Sequence, residues 1–516
     1  MDNLKVRAAR GGIYMATISF TLRPISMGLA IILARLLAPA DFGLLALSMI
    51  LVNAANYFTD LGMRPAVVQT REDIHKVAHY AFVIVLAASA AFTGASILLA
   101  KPFAQALGGG TELVPVIRWM SLYVTLDGIW VIPEALLRRE LRFKQLGLAQ
   151  IPAELASTII AIPLAMMGFG VWSLVAGQLL GQVTRILLTW WFARRMIPIW
   201  LRPKKWDKEI VRGMFRYGIP SMASGLTKYV QNQIDTLLVG RRLGPTSVGI
   251  YSKAFSLTTR LADMLTTSLF GNVLFPSYAR MQDDKPRLTR AYLTSTKLVI
   301  FIIMPVAVGL AVTAPILVPV LLGQKWLAMI PIWEIFSLYT LTRPISTNSA
   351  PLFAAVGQPR RNLTASLVLI GVMVPLLLVL IGPYGATGAA LAVSLANLIA
   401  MLFNVFQVNQ ILPGTARKTF VQSLPFVLAG GLMALTVELI EDPIINLAGG
   451  ANIMALAILI VVAAVVYIGV VVAVQRQLII DLIDLSIKAL AIEQRWPGLV
   501  PARLRTDKQQ TSINEQ

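Results

Sequence analysis

Arg23, Lys228, Lys253 and Arg260 are basic residues set within long apolar runs. An ionised side chain at the centre of a membrane helix costs about 2.5–3.5 kcal/mol on insertion scales, so such groups face a protein interior or an aqueous cavity. The chemistry open to them is capture of anionic oxygens, phosphate above all, through charge-assisted hydrogen bonds. Asp60, Asp127, Glu134, Glu154, Asp235, Asp263, Glu334 and Glu438 occupy comparable runs. Lys228 and Asp235 are seven residues apart and share a helix face, as do Lys253 and Arg260. A carboxylate beside a fixed cation can exchange that partner for a proton or Na⁺, which makes Asp235 the candidate for ion coupling. Blander pairings compete: Asp60 with Arg64 and Asp263 with Arg260 are spaced to pair along one helix, and Arg185 with Glu154 fits either an interhelix pair or snorkelling ends.

The elements that hold these residues are duplicated. Arg10-x-Gly12-Ile13 returns as Arg216-x-Gly218-Ile219, and Leu33 to Gly43 returns as Val239 to Gly249, so that Arg35, Pro39 and Gly43 fall on Arg241, Pro245 and Gly249. In the same frame Lys228 lies one residue from the equivalent of Arg23. Arg35 and Arg241 precede a proline turn at helix ends, where a cation offsets the helix dipole. A second match sets Val114 to Asp127 on Ile330 to Arg343, with Tyr123 on Tyr339 and charge reversed twice, Arg118 on Glu334 and Asp127 on Arg343. Equivalent residues of two parallel repeats sit at equal depth. Asp127 and Arg343 are therefore a candidate gate across the central cavity, aimed inward by the break at Pro344, while Arg118 and Glu334 point away.

Composition names the setting. With 57% hydrophobic and 14% charged residues and a mean hydropathy of +0.72, the chain reads as a polytopic membrane protein. Spans are expected near 13–37, 42–63, 78–100, 113–134, 148–167, 171–193, 216–239, 247–272, 292–314, 331–353, 363–381, 385–409, 419–440 and 451–474. The first apolar run is too long for a signal-peptide core. Loops on one side carry only Lys101, Arg241, Arg242 and Lys325, whereas the other side holds most of the basic residues, which puts both termini in the cytoplasm. The net charge of +20 is thus topology and lipid contact, not a nucleic-acid footprint.

The expected fold is all-α, about fourteen transmembrane helices with two six-helix repeats around a central cavity. Residues 1–200 form the first half, 201–215 a cytoplasmic interfacial linker and 216–412 the second half. Residues 413–475 add two further helices, and 476–516 hold an amphipathic segment and a cytoplasmic tail. No phosphate-binding loop, paired-histidine zinc motif or serine elbow is present, cysteine is absent, and no cofactor or metal is expected. His75 and His79 stand at a solvated helix entry, and Gly108 to Gly110 make a turn.

The stretch from Arg10 to Gln69, including LARLLAPADFG, resembles the N-terminal signature of the polysaccharide-transport (Wzx-type) flippases, in the superfamily that also holds multidrug and toxin extrusion antiporters and lipid II flippases. The resemblance implies a non-enzymatic exporter in a bacterial inner membrane. Its substrate would be an undecaprenyl-diphosphate-linked oligosaccharide, moved for exopolysaccharide, capsule or O-antigen assembly. It also implies contact with membrane lipids, a polysaccharide polymerase and chain-length or export proteins. The alternatives are an ion-coupled drug antiporter, which would want a cavity dominated by carboxylates, a lipid II flippase, and a polysaccharide polymerase, which would carry a large outer loop.

Overall fold

The computed structural model of the chain describes residues 26–70, 72–194, 196, 207–270 and 274–476, with the side chains of 224 and 262–270 left aside. Arg23 and the amphipathic segment expected after the last span lie outside the described residues. Among the described residues the regular structure is entirely helical. A short helix α1 (Ser26–Leu36) precedes α2 (Pro39–Asp60), α3 (Met63–Gln69), α4 (Ile74–Leu98), α5 (Ala100–Ala106), α6 (Gly110–Arg139), α7 (Phe143–Met166) and α8 (Val171–Ala193). Then come α9 (Lys208–Phe270), α10 (Leu274–Ala279), α11 (Lys285–Leu321), a 3₁₀ turn (Gln324–Met329), α12 (Ile330–Thr347), α13 (Ser349–Ala355), α14 (Arg360–Ile411), α15 (Thr415–Leu447) and α16 (Ile453–Val474). Nine of the described helices are long and apolar enough to cross a bilayer.

Two long helices, α9 and α14, are each folded into two arms by one glycine. Gly244 (φ 80°) divides α9, and Gly385 (φ 57°) divides α14. Both conformations are left-handed and suit a residue without Cβ. At 52 residues α14 is more than twice the roughly 20 needed to span. The helix α9 begins at Lys208, so the described part of the expected interfacial linker is already the base of this helix.

The start of α2 is written locally: Pro39 occupies the first turn, and the Asp41 carboxylate accepts from the Ala38 amide at 2.9 Å. From there α2 runs antiparallel along the first arm of α9. Tyr57 lies on Gly225, the Tyr229 hydroxyl donates to the Ile50 carbonyl at 2.6 Å, and Leu47 lies on Gly240. At the proline turns the contact is reciprocal. Gly43 lies against the backbone of Pro245 and Gly249, and Gly249 against the backbone of Pro39 and Gly43. These are the four residues that the duplicated segments align with each other, so the two copies cross at their own matched positions.

A second knot joins the C-terminal ends of α1 and α11. Arg35 donates to the Leu321 carbonyl at 2.8 Å and also to that of Val320. It thus caps α11, not the end of its own helix as the dipole argument expects; the long guanidinium reaches carbonyls left without an intrahelical partner. In return the Trp326 indole donates to the Ala34 carbonyl at 2.8 Å and stands edge-on to Phe42, ring centres 5.5 Å apart. Trp326 is fully buried. Trp326→Ala removes this packing and strands the Ala34 carbonyl, a loss of about 3–5 kcal/mol by comparison with other buried aromatics. The expected result is a clearly lower melting temperature in detergent than Trp172→Ala, a change at a partly exposed ring, produces; equal melting curves for the two would show the knot to be unimportant.

Candidate functional site

Two of the cavities among the described residues carry basic side chains. The first, of about 370 Å³, is lined by Lys228 and Asp235 of α9, Arg343 of α12 and a set of amides that includes Gln231, Asn232, Asn362, Asn397 and Asn404. Its aromatic wall is Phe255 and Tyr339, ring centres 5.2 Å apart, backed by Phe336. Asp235 is buried and held on both oxygens. The Tyr251 hydroxyl donates to Oδ2 at 2.7 Å, and the Thr236 amide and hydroxyl donate to Oδ1 at 2.7 and 3.4 Å. The Arg343 guanidinium donates to the Tyr339 hydroxyl. Lys228, Asp235 and Arg343 are therefore brought together, as the shared helix face of the first two requires.

The second cavity, of about 220 Å³, is lined by Arg185, Arg260, Glu154, Gln178, Gln182 and Tyr123, among others. Tyr123 and Tyr339, matched by the second repeat alignment, thus line one cavity each. The charge pattern also repeats: each cavity carries two basic residues against one carboxylate. Arg185 and Glu154 face this shared space without forming a salt bridge. The Tyr123 hydroxyl donates to Gln182 at 3.2 Å, and the Gln182 amide donates to Asp127 at 3.3 Å.

Asp127 belongs to a buried polar cluster behind that cavity. Its charged neighbours are Arg64, Asp60, Arg185 and Glu134, and Arg343 is not among them. The expected contact between Asp127 and Arg343 is absent here, because Asp127 joins the second cavity's network and Arg343 lines the first. Arg64 bridges Asp60 at 3.9 Å and Glu134 at 3.7 Å, and Arg138 pairs with Glu134. Two guanidiniums stand over the Trp130 ring, Arg64 at 5.2 Å and Arg185 at 5.5 Å from its centre. Local spacing foretold Asp60 with Arg64 but not this extension.

Lys253 lines neither cavity. It is buried, donates to the Ala30 carbonyl of α1 at 3.2 Å and lies 4.2 Å from the Phe42 ring centre. A lysine satisfied by a carbonyl and an aromatic face ties α9 to α1. Arg118 and Glu334 are exposed on the outside of α6 and α12, as their spacing predicts. Sequence reasoning missed the amides and the aromatic wall. Their signal was the placement of Asn397 and Asn404 seven apart in an otherwise apolar run.

A helical membrane bundle of crossing repeats, with two cation-bearing cavities among the described residues, is a transporter architecture. The lipid II flippase MurJ in an inward closed conformation has the same fold, with a TM-score of 0.71 at 14% identity over 90% of this chain and 99% of that one. A family model described as "Polysaccharide biosynthesis protein" matches residues 32–331, and the chain belongs to that family. The lipopolysaccharide biosynthesis protein WzxC of Escherichia coli (strain K12) is 25% identical over 77% of this chain and 80% of its own length. The succinoglycan biosynthesis transport protein ExoT of Rhizobium meliloti (strain 1021) is 27% identical over 63% of this chain and 65% of its own. The chain is a multi-pass membrane transport protein and not an enzyme.

Proposed function

We propose that this protein carries undecaprenyl-diphosphate-linked oligosaccharide units from the cytoplasmic to the outer leaflet of a bacterial inner membrane, for assembly of an exopolysaccharide, capsule or O-antigen. The observation that carries the reading is the lining of the first cavity: Lys228 and Arg343 exceed the single carboxylate Asp235, and amides and hydroxyls supply the remaining polar surface. Cations suit a diphosphate, and amides suit sugar hydroxyls. A carrier of organic cations would need the opposite balance.

On this reading residues 1–200 and 216–412 are two halves that rock about their shared seam, and 413–475 add two helices. Fourteen crossings follow when both arms of α9 and α14, and the shorter α1 and α12, each span. Both termini are then cytoplasmic. The test is deletion of the gene followed by analysis of inner-leaflet lipids. Accumulation of a lipid-diphosphate oligosaccharide and loss of surface polymer are expected; intact polymer with no accumulated intermediate would refute the assignment.

Coupling is assigned to Asp235, whose hydrogen-bonded carboxylate shares the cavity with Lys228. Export in Asp235→Asn is expected to fall at least tenfold and to lose its dependence on the proton or sodium gradient, measured with selective ionophores. Full-rate, gradient-dependent export in that variant would move coupling elsewhere. The contact of Asp127 with Arg343 is assigned to another state of the cycle. Cysteines at these two positions should crosslink only during turnover; no crosslink under any condition would remove the gate.

A further inference from the structure

Three asparagines of the first cavity have their orientation fixed by what they donate to. Asn397 Nδ2 donates to the Val393 carbonyl at 2.9 Å. Asn404 Nδ2 donates to the Ala400 carbonyl at 3.0 Å and to Ser346 Oγ at 2.6 Å, and Asn362 Nδ2 donates to the Ala350 carbonyl at 3.5 Å. A backbone carbonyl only accepts, so each amide must turn its nitrogen to the protein and its oxygen away. Their Oδ1 atoms accept no hydrogen bond from any described residue and are not sealed within the packing, which leaves them open to the space the three residues line. The break at Gly385 folds one arm of α14 back on the other and brings Asn362 into the same cavity as Asn397 and Asn404.

We infer that these three carbonyl oxygens, with the rings of Phe255 and Tyr339, form a subsite for a neutral glycosyl ring, the sugar next to the diphosphate. The inference rests on the transport reading above and names the part of the substrate that this half of the chain recognises. An array of acceptors calls for a ligand rich in donors. A sugar ring offers hydroxyl donors around its edge and an apolar face for an aromatic wall, the same division of polar rim and apolar body that aromatic side chains meet in mixed sites. A phosphate offers only acceptors and is directed to Lys228 and Arg343. A uronate would set its carboxylate against the acceptors and is disfavoured.

The test uses the full-length protein in lipid nanodiscs and three probes: undecaprenyl diphosphate, undecaprenyl-diphosphoryl glucose, and its deoxyglucose analogues. The wild type is expected to bind the glucosyl lipid on the order of tenfold more tightly than the bare diphosphate, and to lose that preference with at least one deoxy analogue. Asn397→Leu and Asn362→Leu should bring the ratio close to one while leaving affinity for undecaprenyl diphosphate within about twofold of wild type. The analogue series reads the same contact without any substitution, so a variant that fails to fold does not decide the outcome. Equal binding of the bare and glucosyl lipids by the wild type overturns the subsite and leaves the transport reading standing. Absence of binding to every probe overturns both. Sodium binding that is lost in the asparagine variants, with the sugar preference unchanged, reassigns the oxygens to a cation.

Discussion

Cells that carry Lys228→Gln as their only copy are expected to export no polymer while holding the protein in the membrane at its normal level, and Arg343→Gln is expected to do the same. Both residues line the cavity that contains Asp235, so loss of either leaves one cation against one carboxylate and removes the surplus that attracts a diphosphate. A hydrogen bond to a charged group is worth about 1.5–3 kcal/mol, enough to weaken binding on the order of tenfold to a hundredfold. Lys228→Arg keeps the charge and should keep part of the export. Lys253→Gln is the informative contrast. Its ammonium is spent on the Ala30 carbonyl and the Phe42 ring, so its effect should appear as reduced protein level and melting temperature, with export falling in proportion. Radiolabelled polymer per unit of membrane protein separates the two cases. Normal specific export in both Lys228→Gln and Arg343→Gln would take the cationic cavity out of the mechanism.

Gly43→Leu is expected to abolish accumulation of folded protein altogether. A Cβ at this position meets the Pro245 carbonyl and the Gly249 amide, which are backbone atoms without a rotamer to give. Overpacking that side chains can absorb costs about 1–3 kcal/mol, but here two helices would have to separate along a seam that continues through Leu47, Ile50 and Tyr57. Gly249→Leu should fail in the same way because its contact is the mirror of the first. Gly28→Leu, where a Cβ meets nothing, should accumulate normally. Size-exclusion profiles of fluorescent fusions report the result; a monodisperse peak of normal height for Gly43→Leu would show that the crossing is looser than described.

The helical content and most span positions were legible because a bilayer leaves few choices: a run of apolar residues of the right length must satisfy its own backbone. The repeat was legible for a related reason. Pro39, Gly43, Pro245 and Gly249 are constrained by a close backbone approach, and constrained residues are the ones that keep the trace of a duplication. The union of Lys228 with Asp235 followed from helix periodicity alone. The misplacement of Lys253 has a physical cause: a buried lysine can be satisfied by one carbonyl and one ring from a distant helix, and nothing in its own segment records them. The role of Arg35 was hidden for the same reason, since its acceptors, Val320 and Leu321, are far away in the chain. Charge was the cue used for the site, and the neutral amides Asn362, Asn397 and Asn404 gave no such cue. The offset between Asp127 and Arg343 reflects a limit of alignment, which sets depth but not the side to which a residue turns.

The reciprocal contact of Gly43 and Gly249 also has an ancestral meaning. A contact in which each copy offers the same proline and glycine to the other is what a two-fold dimer of a half-length chain would present, where one surface meets itself. In such a dimer every substitution occurs twice and meets its own duplicate at the axis. Once the two genes are fused, a change in one copy faces an unchanged partner, and the two sites can then drift apart only by steps that the other side already tolerates. The positions on the axis are accordingly the last at which the copies can become different, while the residues lining each cavity are free to specialise.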